Sequence, residues 1–240
     1  MSAQAKTEAM LRGDLAALCR LAAKFDWQEA TANHISLAVS GDGTQFLINR
    51  RWRDFAALKA SELALLDSNA NELPDDVDAT AWAIHGAIHR LVPQARCVVH
   101  LHPAYATALS CLKDATLYPV DQTSARFFNR VAIDDAYAGM ADNQAEGERL
   151  AGILGKKKIL MMGNHGLLCI GESAAEAFDA FYHFERAART LMLAYGTGQP
   201  LSVLGDEVAE KTARAWESEP EFAEAHFAQM RRAIGQDYLT

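Results

Sequence analysis

Residues 97–102, Cys-Val-Val-His-Leu-His, form a short β-rich run that meets Pro103 and passes into Ala-Tyr-Ala-Thr-Ala-Leu-Ser-Cys-Leu, residues 104–112. The second stretch reads as a helix with the proline in its first turn, where a missing N–H costs nothing. Side chains two apart in a strand share a face about 7 Å apart, so His100 and His102 point the same way. Two imidazoles so placed can converge on one divalent ion. Two half-buried strand histidines with satisfied ring nitrogens would look the same in sequence. Position favours a site, because strand ends beside a helix start are where α/β proteins build them.

Upstream, residues 78–92 (DATAWAIHGAIHRLV) have helical period with Ile84, Ile88 and Leu91 on one face, and Pro93 stops the helix. His85 and His89 are spaced i, i+4 and share a face. Gly86, Ala87 and Ile88 between them offer no acid, so this is not the HExxH pattern, and a structural or supporting role is favoured. Residues 30–49 (ATANHISLAVSGDGTQFLIN) hold two alternating runs around a Gly/Asp turn and read as a hairpin. Asn33, His34 and Ser36 offer hydrogen bonds at its entry. Residues 59–73 (KASELALLDSNANEL) give a short strand and a turn, and residues 8–26 carry apolar side chains at helical spacing.

Downstream, residues 156–171 (KKKILMMGNHGLLCIG) read as two buried strands joined by Asn164-His165-Gly166. Asn and Gly tolerate positive φ, so His165 is placed at a rim rather than in the core. It is a third imidazole for a zinc-type site or simply a surface turn residue. Residues 172–198 read as the longest helix, closed by Gly196 and Gly198. His183 and His226 fall on polar helix faces and read as surface. The tail from about 206 is polar and helical.

With 240 residues, half of them apolar and 22% charged, the chain is an ordinary globular protein. There is no repeat or Pro/Ser-rich linker, so one domain over 1–205 with a helical extension over 206–240 is expected. A net charge of −8 argues against nucleic acid or an anionic membrane surface as partner. Cys19, Cys97, Cys111 and Cys169 sit among apolar neighbours without CxxC spacing, so they read as small hydrophobes. No signal-peptide pattern and no membrane-length apolar run occurs, and a cytoplasmic protein is expected.

The runs CVVHLHPAYATALS (97–110) and ILMMGNHGLLCIGESAAEAF (159–178), with NHIS at 33–36 and FLIN at 46–49, resemble the class II aldolase/adducin family. The resemblance covers about residues 10–200. It implies an α/β fold, a three-layer α/β/α sandwich around a mostly antiparallel sheet. It also implies a divalent metal, commonly zinc with manganese, iron or cobalt as other choices, on His100, His102 and His165. Homotetramers with active sites at subunit interfaces are implied too, and Tyr238 is a candidate to reach across.

Two departures separate the chain from the aldolases. Their catalytic Glu lies 19 residues before the first metal histidine, where this chain has Ala81. Their phosphate-anchoring loop corresponds to NRRWRDF (49–55), which has no glycine but offers Arg50, Arg51 and Arg53 to a planar carboxylate. Residues 84–100 and 118–132 look closer to the bacterial adducin-like branch. The resemblance therefore implies a metal-dependent carbon–carbon lyase, aldolase- or decarboxylase-like, that works through a metal-stabilised enolate of a small oxygenated or carboxylated substrate. His34, Ser36, Arg50 and Arg51 are candidate substrate-binding residues, and His85 and Tyr137 candidate proton carriers in place of the missing Glu. A non-catalytic adducin-like binding or oligomerisation module is the alternative.

Overall fold

The structure is a computed structural model that describes residues 3–70, 72–137 and 139–240. Its centre is a seven-stranded sheet, numbered along the chain as β1 (His34–Ala38), β2 (Gln45–Ile48), β3 (Ala64–Asp67), β4 (Cys97–Leu101), β5 (Val131–Asp134), β6 (Ile159–Met162) and β7 (Gly166–Gly171). The strand order is β3-β2-β1-β4-β7-β6-β5. Every pairing is antiparallel except β5 with β6. The expected three-layer α/β/α sandwich on a mostly antiparallel sheet is what the chain forms.

The period of two along each strand decides which layer a side chain meets. Val98, Leu160, Leu168 and Ile170 face α2 (Ala79–Leu91) and α5 (Gln144–Leu154). Val99, Leu101, Met161 and Cys169 face the opposite layer, built from α1 (Ala3–Lys24), α3 (Ala104–Ser110) and α6 (Ala174–Tyr195). α2 and α5 cross at close quarters, since a Cβ on Gly147 would lie 2.0 Å from the Ala83 carbonyl oxygen. Helices α4 (Gln122–Ala125), α7 (Asp206–Glu217) and α8 (Glu221–Arg231) extend the α6 side. Phe227 and Tyr238 join the same core as α1 and α6.

Local chemistry fixes the element ends that matter for the site. Asp78 caps α2 by accepting from Thr80 N and Ala81 N, as an N-cap carboxylate does. α2 ends just before Pro93, as expected, but Leu91 is half exposed and does not join the apolar face. α6 has 22 residues and α1 has as many, so α6 is not uniquely long. Three cysteines are buried, whereas Cys111 is exposed at the end of α3, where the chain turns outward. No helix among the described residues is long and apolar enough to cross a membrane.

Candidate metal centre

Strand pairing brings the three histidines of the two motifs together. β4 pairs β7 with Leu101 opposite Leu167, so the end of β4 lies beside the β6–β7 turn that carries His165. Asn164 in that turn has φ 53, the left-handed conformation that asparagine tolerates. The ring centroids are 5.2 Å apart for His100–His102 and 4.8 Å apart for both His100–His165 and His102–His165. One ligand nitrogen from each lies within 4.8 Å of the others. Small side-chain rotations bring such a set to the roughly 3.4 Å spacing that tetrahedral Zn–N bonds demand.

Each strand histidine is oriented through its outer nitrogen. His100 Nδ1 lies 3.2 Å from the Leu167 carbonyl and must donate to it, which leaves Nε2 with a lone pair. His102 Nδ1 lies 2.6 Å from Glu29 Oε2, and its Nε2 is buried with no hydrogen-bond partner among the described residues. An orphaned imidazole nitrogen facing two other imidazoles is the donor arrangement that a divalent ion satisfies. Gly166 makes room for it, because a Cβ there would lie 2.6 Å from His102 Cδ2 and 2.9 Å from Leu101 O. Burial pushes the His165 imidazole down to about 4, with His102 adding to the effect, and drives His100 well below the usual histidine range. Near pH 7 both rings are neutral and keep their lone pairs.

Behind this trio a polar chain runs between β1 and α2. His34 stands opposite His100 in the β1–β4 register, with ring centroids 5.1 Å apart. His34 Nδ1 is 2.8 Å from His85 Nε2, His85 Nδ1 is 2.5 Å from Ser36 Oγ, and Ser36 Oγ is 2.7 Å from His89 Nε2. His89 Nδ1 closes the chain on the Ala95 carbonyl at 2.8 Å. Ser36 and His85, expected to bind substrate and to carry a proton, are fully buried with their polar atoms engaged along this chain. The i, i+4 spacing on α2 points both of its histidines inward at Ser36. Ala81 is buried in an apolar cluster with Phe46, Ile48 and Val77.

The remaining candidates separate clearly. Arg50 donates to the Glu62 carbonyl through Nε and to Asp76 through Nη1, so it is held by its own chain and not free for a substrate carboxylate. Arg51 lies over the Trp52 ring at 4.2 Å, and its Nε is buried without a partner among the described residues. Arg53 pairs with Glu62. Tyr137 is 55% exposed with its ring 6.3 Å from that of His165, which puts it at the rim of the centre. Tyr238 is buried and takes a hydrogen bond from Arg231 of the same chain, so it does not reach outward.

Three site residues escaped the sequence reading. Glu29 lies 73 residues from the histidine it orients, and nothing in the spacing signals the pair. Asp78 and Thr80 sit beside His34, a meeting that depends on how α2 packs against β1 and that no local pattern signals. His183 and His226, read as surface, instead hold the buried Asp179 carboxylate at 3.2 and 2.7 Å, with Arg126 on its other oxygen at 2.5 Å. Their ligand atoms also cluster within 4.8 Å. The Arg126 charge already neutralises that carboxylate, which makes the cluster an ion-paired tie between α4, α6 and α8.

Known proteins share this architecture. Residues 13–192 match the family model described as Class II Aldolase and Adducin N-terminal domain. A protein of Caulobacter vibrioides named "Putative aldolase class 2 protein" is 35% identical over 212 residues, covering 87% of this chain and 82% of the relative. Gamma-adducin of Mus musculus is 31% identical over 194 residues, covering 78% of this chain but 27% of that protein. The crystal structure of an aldolase II superfamily protein from Pseudomonas syringae superposes with a TM-score of 0.90 at 31% identity, covering 100% of this chain and 98% of the other. The chain belongs to the class II aldolase and adducin N-terminal domain family.

Proposed function

We propose that the chain is a metal-dependent carbon–carbon lyase for a small oxygenated or carboxylated molecule, with His100, His102 and His165 as ligands of one divalent ion. The observation that carries the reading is the buried, partnerless Nε2 of His102 facing two further imidazoles from separate strand ends. An all-imidazole donor set suits zinc, with manganese, iron and cobalt as the competing choices. When bound, the ion supplies Lewis-acid stabilisation of negative charge developing on a substrate oxygen.

The chain's own residues supply orientation and protons. Glu29 and the Leu167 carbonyl fix the tautomers of His102 and His100. With Ala81 packed in an apolar cluster, no carboxylate can shuttle a proton from that position. Tyr137, open to solvent beside His165, is the proton carrier of this reading, delivering a proton to the carbon that loses its bond. Arg51, with its unpaired Nε, is the remaining guanidinium for a substrate carboxylate. Homotetramer assembly and a cytoplasmic setting belong to the same proposal, the latter supported by four cysteines with no disulfide among them.

The test is turnover of a panel of small hydroxy-keto acids and β-keto acids by zinc-loaded protein, read as carbonyl product or carbon dioxide. Cleavage that disappears in His102→Ala and falls in Tyr137→Phe supports the lyase. Metal-loaded protein that cleaves none of them, while self-associating normally, supports the adducin-like module. The buried alanine at the aldolase Glu position favours that second reading.

A further inference from the structure

The polar chain behind the centre has a direction, and its direction follows from one carbonyl. The Ala95 oxygen can only accept, so His89 must carry its hydrogen on Nδ1, which leaves Nε2 as an acceptor. Ser36 then donates to His89 and accepts from His85 Nδ1. His85 Nε2 is consequently an acceptor, and His34 must donate to it from Nδ1. Reversing the order would set a lone pair of His89 against the Ala95 oxygen at 2.8 Å. A doubly protonated His89 would avoid that clash, but burial pushes this ring down to about 4, so it is neutral near pH 7.

Among the described residues, no protein donor serves the other end of the chain, His34 Nε2. Thr80 Oγ1 is 3.4 Å from His34 Nε2, yet its single hydrogen goes to Asp78. Burial alone would raise the Asp78 carboxyl. Hydrogen bonds from the Thr80 hydroxyl and from the Ala81 and Thr80 amides outweigh it, so Asp78 is ionised and accepts only. His34 Nε2 also stands outside the set of nitrogens that cluster for the ion.

We infer that the relay Ala95 O–His89–Ser36–His85 locks His34 in its Nδ1–H tautomer, so that its Nε2 lone pair accepts a hydrogen bond from a substrate hydroxyl beside the metal centre. The tautomer stands on the protein alone, and only the hydroxyl rests on the lyase reading. The substrate class narrows accordingly. A hydroxyl-bearing carbonyl or carboxylate compound satisfies the acceptor, whereas a substrate presenting only carbonyl or carboxylate oxygen leaves two lone pairs opposed. His34 would touch substrate, while Ser36, His85 and His89 are positioning residues acting through it.

Ring-nitrogen NMR on metal-free protein with 15N-labelled histidine tests the relay. His34 is expected to show hydrogen on Nδ1 and a bare Nε2, and Ser36→Ala to lose that preference while keeping a folded amide spectrum. Should Ser36→Ala not fold, His89→Gln removes the same anchor. A native His34 protonated on Nε2, or an unchanged tautomer in the cut chain, overturns the relay. Glycolate and then acetate are next titrated in large excess into zinc-loaded protein. Movement of His34 Nε2 with glycolate and not with acetate is expected. Equal movement with both, none with glycolate, or a shift on zinc alone as large as at His100 overturns the hydroxyl assignment. Failure of the metal reading shows separately, as His100 and His102 signals that zinc leaves unmoved.

Discussion

Gly166 and Glu29 constrain one imidazole from opposite sides. A methyl group at 166 would stand 2.6 Å from the His102 ring, with the backbone of Leu101 closing the other way out, so Gly166→Ala is expected to displace His102. Zinc affinity then falls by at least about tenfold with little change in fold, checked by calorimetric titration and circular dichroism. Glu29→Gln keeps the shape but weakens the hydrogen bond to His102 Nδ1, and a loss of about 10–100-fold in zinc affinity is expected by the same titration. The His100–His102 pair was legible because strand period alone puts both on one face. Glu29 was not, since its contact depends on how the loop before β1 folds over β4.

At the scale of elements, two helices are held by carboxylates. Asp78→Ala removes the cap of α2 and is expected to cost about 1 kcal/mol, read from the urea midpoint. α8 is tied to α6 through Asp179. Burial would raise its carboxyl, but hydrogen bonds from His183 and His226 and the charge of Arg126 hold it well below the usual range. A carboxylate depressed on folding stabilises the protein above its unfolded pKa near 3.9, and the contribution is lost as pH falls below that value. Asp179→Asn is therefore expected to cost about 3 kcal/mol near neutrality, and the gap in Tm to the native chain to close on acidification. A gap that widens in acid would contradict the ion-paired tie. Helical period revealed α2, α3 and α6 because each buries one apolar face. It was silent over β5 and α5, since β5 is a half-exposed edge strand and the apolar pattern of α5 is broken by Gly147 and Gly152.

For the molecule as a whole, alternating strands and helical periods marked most of the elements, and the family resemblance supplied the layers and the mostly antiparallel sheet. The interior wiring was less readable. Ser36 and His85 looked like site residues because they neighbour or repeat motif positions. Their burial is decided by α2 packing across β1, which no local pattern encodes. The proposed chemistry depends on one ion being held where the end of β4 and the β6–β7 turn meet. Calorimetric titration of zinc into the metal-free native chain and into His102→Ala tests that most directly. The predicted result is one ion per chain in the native protein and no comparable binding in the variant. A native chain that binds no zinc, or a variant that binds it undiminished and so points to the Asp179 cluster, would contradict the account.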